Sequence, residues 1–228
     1  MPSSRGRTIS TPSEAASARR GVRNLFVVAL VVGVAIGVFS ILADGILPGR
    51  LFTVLGNIAA PWAIAAFVVG FRATSVRQGA LAGVVALVAG VATYYAGVAF
   101  RGYIVGQLNV VWTVVALVAG PVMGACGAAI STRREHPPLV AVALPAAVLV
   151  AEGLFLLYDR KVWRYDVVDQ IFHDVYVGVA LALIASGFAL SWVFAKDQRG
   201  RASLLVAGVG VLGAIGFAVL ERIITTVL

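Results

Sequence analysis

The sequence has few charged residues for its length. Asp, Glu, Lys and Arg together make up 12% of 228 positions, whereas residues of the AVILMFWYC set make up 61%. Soluble domains carry about a quarter charged residues and about half apolar ones. The composition therefore excludes an ordinary soluble domain and predicts a chain whose main solvent is lipid.

Cysteine and the common enzyme motifs are also scarce. Cys126 is the single cysteine, and one thiol can form neither a disulfide framework nor a cysteine metal cluster within one chain. The sequence contains no HExxH, no GxSxG, no glycine-rich phosphate loop and no acidic pair inside an apolar run. We therefore predict no catalytic residue, and the sequence assigns no cofactor.

The net charge of +8 would ordinarily indicate nucleic acid as a partner. Here, however, the basic residues lie in short segments between long uncharged runs, as in the loops of membrane proteins. We therefore expect the lipid bilayer, and no nucleic acid, to be the partner of this chain.

Long uncharged runs predict the transmembrane helices. About 20 helical residues are needed to cross a hydrocarbon core of roughly 30 Å, because every backbone polar group must be satisfied within the segment. Six uncharged runs of about that length predict spans at residues 24–43, 51–71, 78–100, 110–130, 175–195 and 202–220, and a seventh apolar run, 137–158, is interrupted by Glu152. The sequence predicts an all-α, polytopic transmembrane helical bundle of about seven spans, forming one domain over residues 24–228.

The basic residues also predict the orientation of this bundle. Twelve of the eighteen Lys and Arg residues fall on the side that holds the N-terminus, and six fall on the other side. Because Lys and Arg are enriched in cytoplasmic loops, we predict a cytoplasmic N-terminus and an external C-terminus in the cell membrane. Residues 1–23 are basic and lack hydrophobic periodicity, so we expect them to form a disordered cytoplasmic tail.

Glycines recur at helical spacing within the predicted spans. Gly83, Gly90 and Gly97 repeat every seven residues, and the GxxxG pairs are Gly33 with Gly37, Gly79 with Gly83, and Gly120 with Gly124. Small residues let two helix backbones approach closely in lipid, where the hydrophobic effect does not drive helices together. The pattern predicts tight packing within one chain in preference to a dimer interface.

Glu152 is the single acidic or basic residue within the predicted spans. A charged group inside the bilayer is costly and normally faces a cavity, a partner or a pathway. We predict that Glu152 faces the bundle interior in the external half of the membrane. Two roles stay open, a hydrogen bond that holds a neighbouring helix or a part in binding a ligand or proton.

Tyr94 and Arg101 are the expected polar partners of Glu152. They share one face of the third predicted span with Gly90 and Gly97, because the steps between them are four, three and four residues. Arg101 can turn inward to a carboxylate or outward to water, and Tyr94 can serve as an interface anchor. We predict that both side chains contribute to an outward-facing polar site with Glu152.

A charged segment precedes the sixth predicted span. Asp166, Asp169 and His173 line one face of residues 158–174, while apolar residues repeat every four positions on another face. This periodicity predicts that the sixth helix begins early or that a short interfacial helix precedes it. Asp169 and His173 are candidate binding residues, but a solvated helix face explains the same pattern, so we predict no metal site.

Three short motifs, YYAG at 94–97, GPVMGACG at 120–127 and AEGLFLL at 151–157, resemble an actinobacterial family of small multi-pass membrane proteins. That family is a domain of unknown function, so the resemblance implies a bacterial membrane protein and transfers no binding residue. The scarcity of lysine, with only Lys161 and Lys196 present, also favours a high-GC bacterial genome.

Two functional hypotheses follow from these patterns. The first is a small-solute binding or transport protein with an outward-facing polar pocket. The second is a non-transporting scaffold or partner subunit of another membrane protein, in which the glycines and Glu152 serve assembly alone.

Overall fold

The computed structural model describes residues 12–44, 46–103, 106, 108–133, 135–159 and 170–227. Within these residues the chain is helical throughout and contains no strand, which confirms the all-α prediction. Eight α-helices are present in the described part: α1 (Pro12–Ala43), α2 (Arg50–Gly56), α3 (Ala60–Phe71), α4 (Val76–Phe100), α5 (Leu108–Thr132), α6 (Leu139–Asp159), α7 (Gln170–Ala195) and α8 (Arg199–Val227). A 3-10 turn, Lys196–Gln198, joins α7 to α8.

Most helix bounds follow the predicted spans closely. Helices α4, α5 and α6 begin and end within about two residues of the uncharged runs that predicted them. Helix α7 starts at Gln170, in agreement with the prediction of an early start. Helix α1 differs, because it begins at Pro12 and includes residues 12–23 of the expected tail, a segment rich in the good helix formers Ala and Arg.

The second predicted span, 51–71, is broken into two helices. Helix α2 ends at Gly56, where the amide N–H of Asn57 donates to the carbonyl of Val54 over 3.1 Å, and α3 begins at Ala60. Pro61 lies in the first turn of α3, where its missing N–H breaks no helical hydrogen bond. Pro61 therefore marks the start of a new helix within the run that the sequence predicts as one span.

Glycine seams hold the first group of helices, α1, α3, α4 and α5, together. Gly83 lies against the backbone of Gly120 and Gly124, and a side-chain carbon at Gly83 would collide with the Gly120 carbonyl. Gly90 contacts Gly33 and Trp62, and Gly97 lies against Ile41. The prediction that the stripe of Gly83, Gly90 and Gly97 packs against other helices is therefore confirmed.

The second group consists of α6, α7 and α8, with α6 packed on both of the others. Gly187 of α7 and Gly210 of α8 both lie against Val150 of α6. Successive contacts run in opposite directions along α6 and α7 and in the same direction along α6 and α8. Helices α7 and α8 therefore form an antiparallel hairpin that is closed by the Lys196–Gln198 turn.

Five stretches in the described residues are long and apolar enough to cross a membrane: Arg19–Ala43, Val76–Phe100, Leu108–Thr132, Leu139–Tyr158 and Asp174–Ile223. The last stretch contains both helices of the α7–α8 hairpin. Many large apolar side chains point away from the bundle, and Leu204 is 77% exposed and Leu212 69%. Water would be a poor solvent for this surface, whereas the apolar chains of a bilayer would suit it.

Candidate functional site

Glu152 lies on the face of α6 that points toward the break between α2 and α3. It is only 5% exposed, and Leu149 and Leu156, three residues before and four after it, belong to a buried apolar cluster. The same cluster contains Val54 and Ile58 from the broken span. The prediction that Glu152 faces the bundle interior is confirmed.

The carboxylate of Glu152 caps the N-terminus of α3. Its Oε1 atom accepts a hydrogen bond from the amide N–H of Ala59 over 2.8 Å, at the position where helix N–H groups lack partners within the helix. Its Oε2 atom is buried and has no hydrogen-bond partner among the described residues. The prediction that Arg101 and Tyr94 are the partners of Glu152 is wrong. Oε1 instead accepts from a backbone N–H that is available because the second predicted span is broken into two helices.

Arg101 and Tyr94 converge on Asp44 at the end of α1. The Tyr94 hydroxyl donates to Oδ2 of Asp44 over 3.0 Å, and the Arg101 guanidinium donates to the Asp44 carbonyl over 3.3 Å. Asn57, in the break, donates from its side-chain amide to Oδ1 of Asp44 over 3.2 Å. We call Asp44, Asn57, Tyr94 and Arg101 the Asp44 cluster.

The Asp44 cluster and Glu152 approach the same short segment of chain. Asn57 belongs to the cluster, and Ala59, two residues later, bonds to Glu152. Asp44, Tyr94 and Arg101 are half-buried and Asn57 is exposed, so that the cluster is open to the surroundings, whereas Glu152 is enclosed. The break is therefore a place where polar groups from α1, α4 and α6 meet within otherwise apolar helices.

The cluster offers both kinds of electrostatic contact to a small molecule. The Asp44 carboxylate attracts cationic or hydrogen-bond-donating groups, and the Arg101 guanidinium donates to carboxylates and other anionic groups. The Tyr94 hydroxyl and the Asn57 amide add uncharged hydrogen-bonding capacity. The cluster thus presents a negative charge, a positive charge and two uncharged hydrogen-bonding groups within one short region.

The side chains of the remaining predicted site residues lie outside the described part of the chain. Asp169 and Asp166 lie outside the described residues. His173 lies in the first turn of α7, but its side chain is also outside the described part. Their predicted part in binding stays a prediction.

Asp44 and Asn57 are the residues that sequence reasoning missed. Asp44 directly follows the first predicted span, and nothing in the local sequence indicates that α4 approaches it. The sequence does contain a signal for the break. Three residues that disfavour the interior of a helix lie within six positions, namely Gly56, Asn57 and Pro61. A criterion based only on the absence of charge could not detect it.

The described structure thus defines an all-helical bundle whose long apolar helices are compatible with a membrane, with one helix broken beside a buried carboxylate. The chain belongs to a family of unknown function, DUF6518, whose sequence profile matches residues 16–226. This match confirms the expectation of a family without an established activity. No curated protein and no solved structure matches the sequence.

Proposed function

We propose that this chain is a multi-pass integral membrane protein with seven crossings, a cytoplasmic N-terminus and an external C-terminus. The packing directions support seven crossings, since α1 and α4 run parallel, α4 and α5 run antiparallel, and α2 with α3 returns the chain between α1 and α4. The twelve basic residues on the N-terminal side support the orientation.

Paired topology reporters test this arrangement. Alkaline phosphatase fused after Leu228 should be active, whereas green fluorescent protein at the same position should be dark in a bacterial host, because the C-terminus is external. Fusions after residue 20 should give the opposite result. If both ends report one compartment, an odd number of crossings is wrong, and the broken α2–α3 segment is the first candidate for a segment that does not cross.

The same proposal includes a function, the binding or transport of a small zwitterionic solute at the Asp44 cluster. A single observation carries it: the helix break brings a carboxylate, a guanidinium, a phenol and an amide together at one end of an apolar bundle. Discontinuous helices with polar groups at the break are the usual construction of solute sites in membrane transporters. The cluster lies on the side that the topology proposal assigns to the exterior.

Tyr94→Phe tests the solute site with a matched control next to it. The purified protein is heated with each proteinogenic amino acid and with choline, and we expect at least one zwitterion to raise the unfolding temperature. Tyr94→Phe removes the hydroxyl beside Asp44 and should weaken that solute about tenfold, the effect of roughly one hydrogen bond. Tyr95→Phe makes the same change in the ring that contacts Tyr94 edge-on and should bind like the wild type.

Two outcomes would contradict the solute proposal. One is that no zwitterion of this panel shifts the unfolding temperature of the wild-type protein. The other is that Tyr94→Phe and Tyr95→Phe weaken the solute equally, because the cluster hydroxyl would then have no particular role.

A scaffold function is the second candidate, and an apolar groove favours it. The groove has a volume of about 410 Å³ and lies between α6 and α8, and its lining includes Leu154, Ile215 and Val219. Leu154 is two residues after Glu152, so the groove is on nearly the opposite side of α6 from the capped helix. If the protein copurifies with a helical membrane partner that substitutions at Ile215 and Val219 release, the scaffold function replaces the solute proposal.

A further inference from the structure

We propose that the break between α2 and α3 binds a monovalent cation, either a sodium ion or a proton, at the Oε2 atom of Glu152. This inference rests on the proposed function, because it places a coupling ion at Ala59 and Glu152, two residues along the chain from Asn57 of the solute site. The cation site and the solute site use different residues, so each can be tested separately.

The first support is a pair of buried acceptors at the break. Oε2 of Glu152 and Oγ of Ser40 are both enclosed and have no hydrogen-bond partner among the described residues. Glu152 is 5% exposed and Ser40 is 1% exposed. Buried polar atoms are nearly always satisfied in native proteins, because an unpaired one loses its hydration without compensation. A bound cation would give these oxygens a partner, and a proton on Oε2 would remove the buried negative charge.

The second support is the position of these residues around the broken helix. Ser40 is on α1, and its carbonyl lies next to Gly56, the last residue of α2. Glu152 is on α6 and bonds to Ala59, just before α3. The Ser40 carbonyl therefore lies beside the end of α2, and Glu152 reaches the start of α3 from α6, so that α1 and α6 approach the two ends of the three-residue break. Oxygen atoms at the ends of half-helices are typical ligands of sodium ions and protons in membrane proteins.

The charge at the site favours a monovalent ion. Glu152 brings one carboxylate to the start of α3, and the described residues contain no group of three acidic, histidine or cysteine side chains that could hold a metal ion. The buried cluster that contains Leu149 and Leu156 of α6 also includes apolar residues from α2, α3 and α7, with Tyr176 partly buried against it. The charged groups of the neighbouring cluster, Asp44 and Arg101, already contact each other through the Asp44 carbonyl. One positive charge neutralises Glu152, whereas a divalent ion would remain unbalanced.

The experiment measures thermal unfolding of the full-length protein in detergent by tryptophan fluorescence. Sodium chloride is compared with N-methylglucamine chloride at equal ionic strength, at pH 6 and at pH 8. If sodium binds, it should raise the unfolding temperature of the wild-type protein at pH 8 in a saturable manner. If only a proton binds, sodium should have no effect, and the protein should be more stable at pH 6 than at pH 8, since the protonated state is the occupied one.

Glu152→Gln and Ser40→Ala connect either response to the break. Glutamine keeps an oxygen to accept from Ala59 but carries no charge, so Glu152→Gln should abolish the response to sodium and remove the difference between pH 6 and pH 8. Ser40→Ala should weaken the sodium response several-fold, and it serves as the second variant if Glu152→Gln folds poorly. The proposal is overturned if the wild type responds to neither sodium nor pH, or if Glu152→Gln and Ser40→Ala both respond like the wild type.

Tyr94→Phe separates this inference from the proposed solute site. Because Tyr94 bonds to Asp44 and not to Glu152, the variant should keep the full cation response while losing solute affinity. A cation response without any solute effect would contradict the solute site alone. A solute effect that is unchanged in Glu152→Gln and independent of cations would contradict the cation site alone.

Discussion

Glu152→Leu is expected to destabilise the protein by about 2 kcal/mol, and Glu152→Gln by much less. Leucine removes the acceptor for the Ala59 N–H and leaves a buried donor at the start of α3 unpaired. Glutamine keeps an amide oxygen at nearly the same place. The lone cysteine provides the measurement, because Cys126 is buried in α5 and reacts with a fluorogenic maleimide only when the bundle opens.

The comparison between the two variants is the control for general damage at this position. Equal loss of stability in Glu152→Leu and Glu152→Gln would show that the charge matters and that the cap on α3 does not. Wild-type stability in both variants would show that the hydrogen bond to Ala59 contributes nothing to the folded state.

Gly83→Leu is expected to have the largest effect on stability, a loss of about 3 kcal/mol or more. The new side chain would enter the seam between α4 and α5, where it would meet the backbone of Gly120 and Gly124. Overpacking a tight contact costs about 1–3 kcal/mol and sometimes more, and a backbone neighbour cannot move away as a flexible side chain can. The maleimide assay at Cys126 should therefore show a much lower unfolding temperature.

Gly208→Leu is the matched control for this substitution. Gly208 is an exposed residue within α8, and a side-chain carbon there would meet no atom within 4 Å. We expect no loss of stability, since leucine has a higher helix propensity than glycine. If Gly83→Leu unfolds at the same temperature as Gly208→Leu, the α4–α5 seam is looser than these contacts imply.

The helices themselves were largely predictable from the sequence. An uncharged run long enough to cross a bilayer can satisfy its backbone hydrogen bonds only as a helix. The run 78–100 therefore predicts both the presence and the approximate bounds of α4. The glycine seams were predictable for a related reason, because a seven-residue repeat places Gly83, Gly90 and Gly97 on one helix face. Which helix packs against each glycine seam depends on the tertiary arrangement, and a single sequence does not predict it.

The candidate site was predictable only in part. The burial of Glu152 follows from the cost of exposing a carboxyl to hydrocarbon. Its partner did not follow, because the N–H of Ala59 is free only if the second span is broken. The contact of Asp44 with Tyr94 and Arg101 joins residues 50 and 57 positions apart, and no local pattern specifies such a pair.

A density map of the protein in lipid nanodiscs, prepared in sodium chloride with the stabilising zwitterion, tests the central claim most directly. The account predicts an ion or an ordered polar atom within hydrogen-bond distance of Glu152 Oε2, and solute density touching Asp44 and Arg101. A continuous helix through residues 51–71 would contradict it, as would a break filled by protein atoms alone with Oε2 bonded to a protein donor.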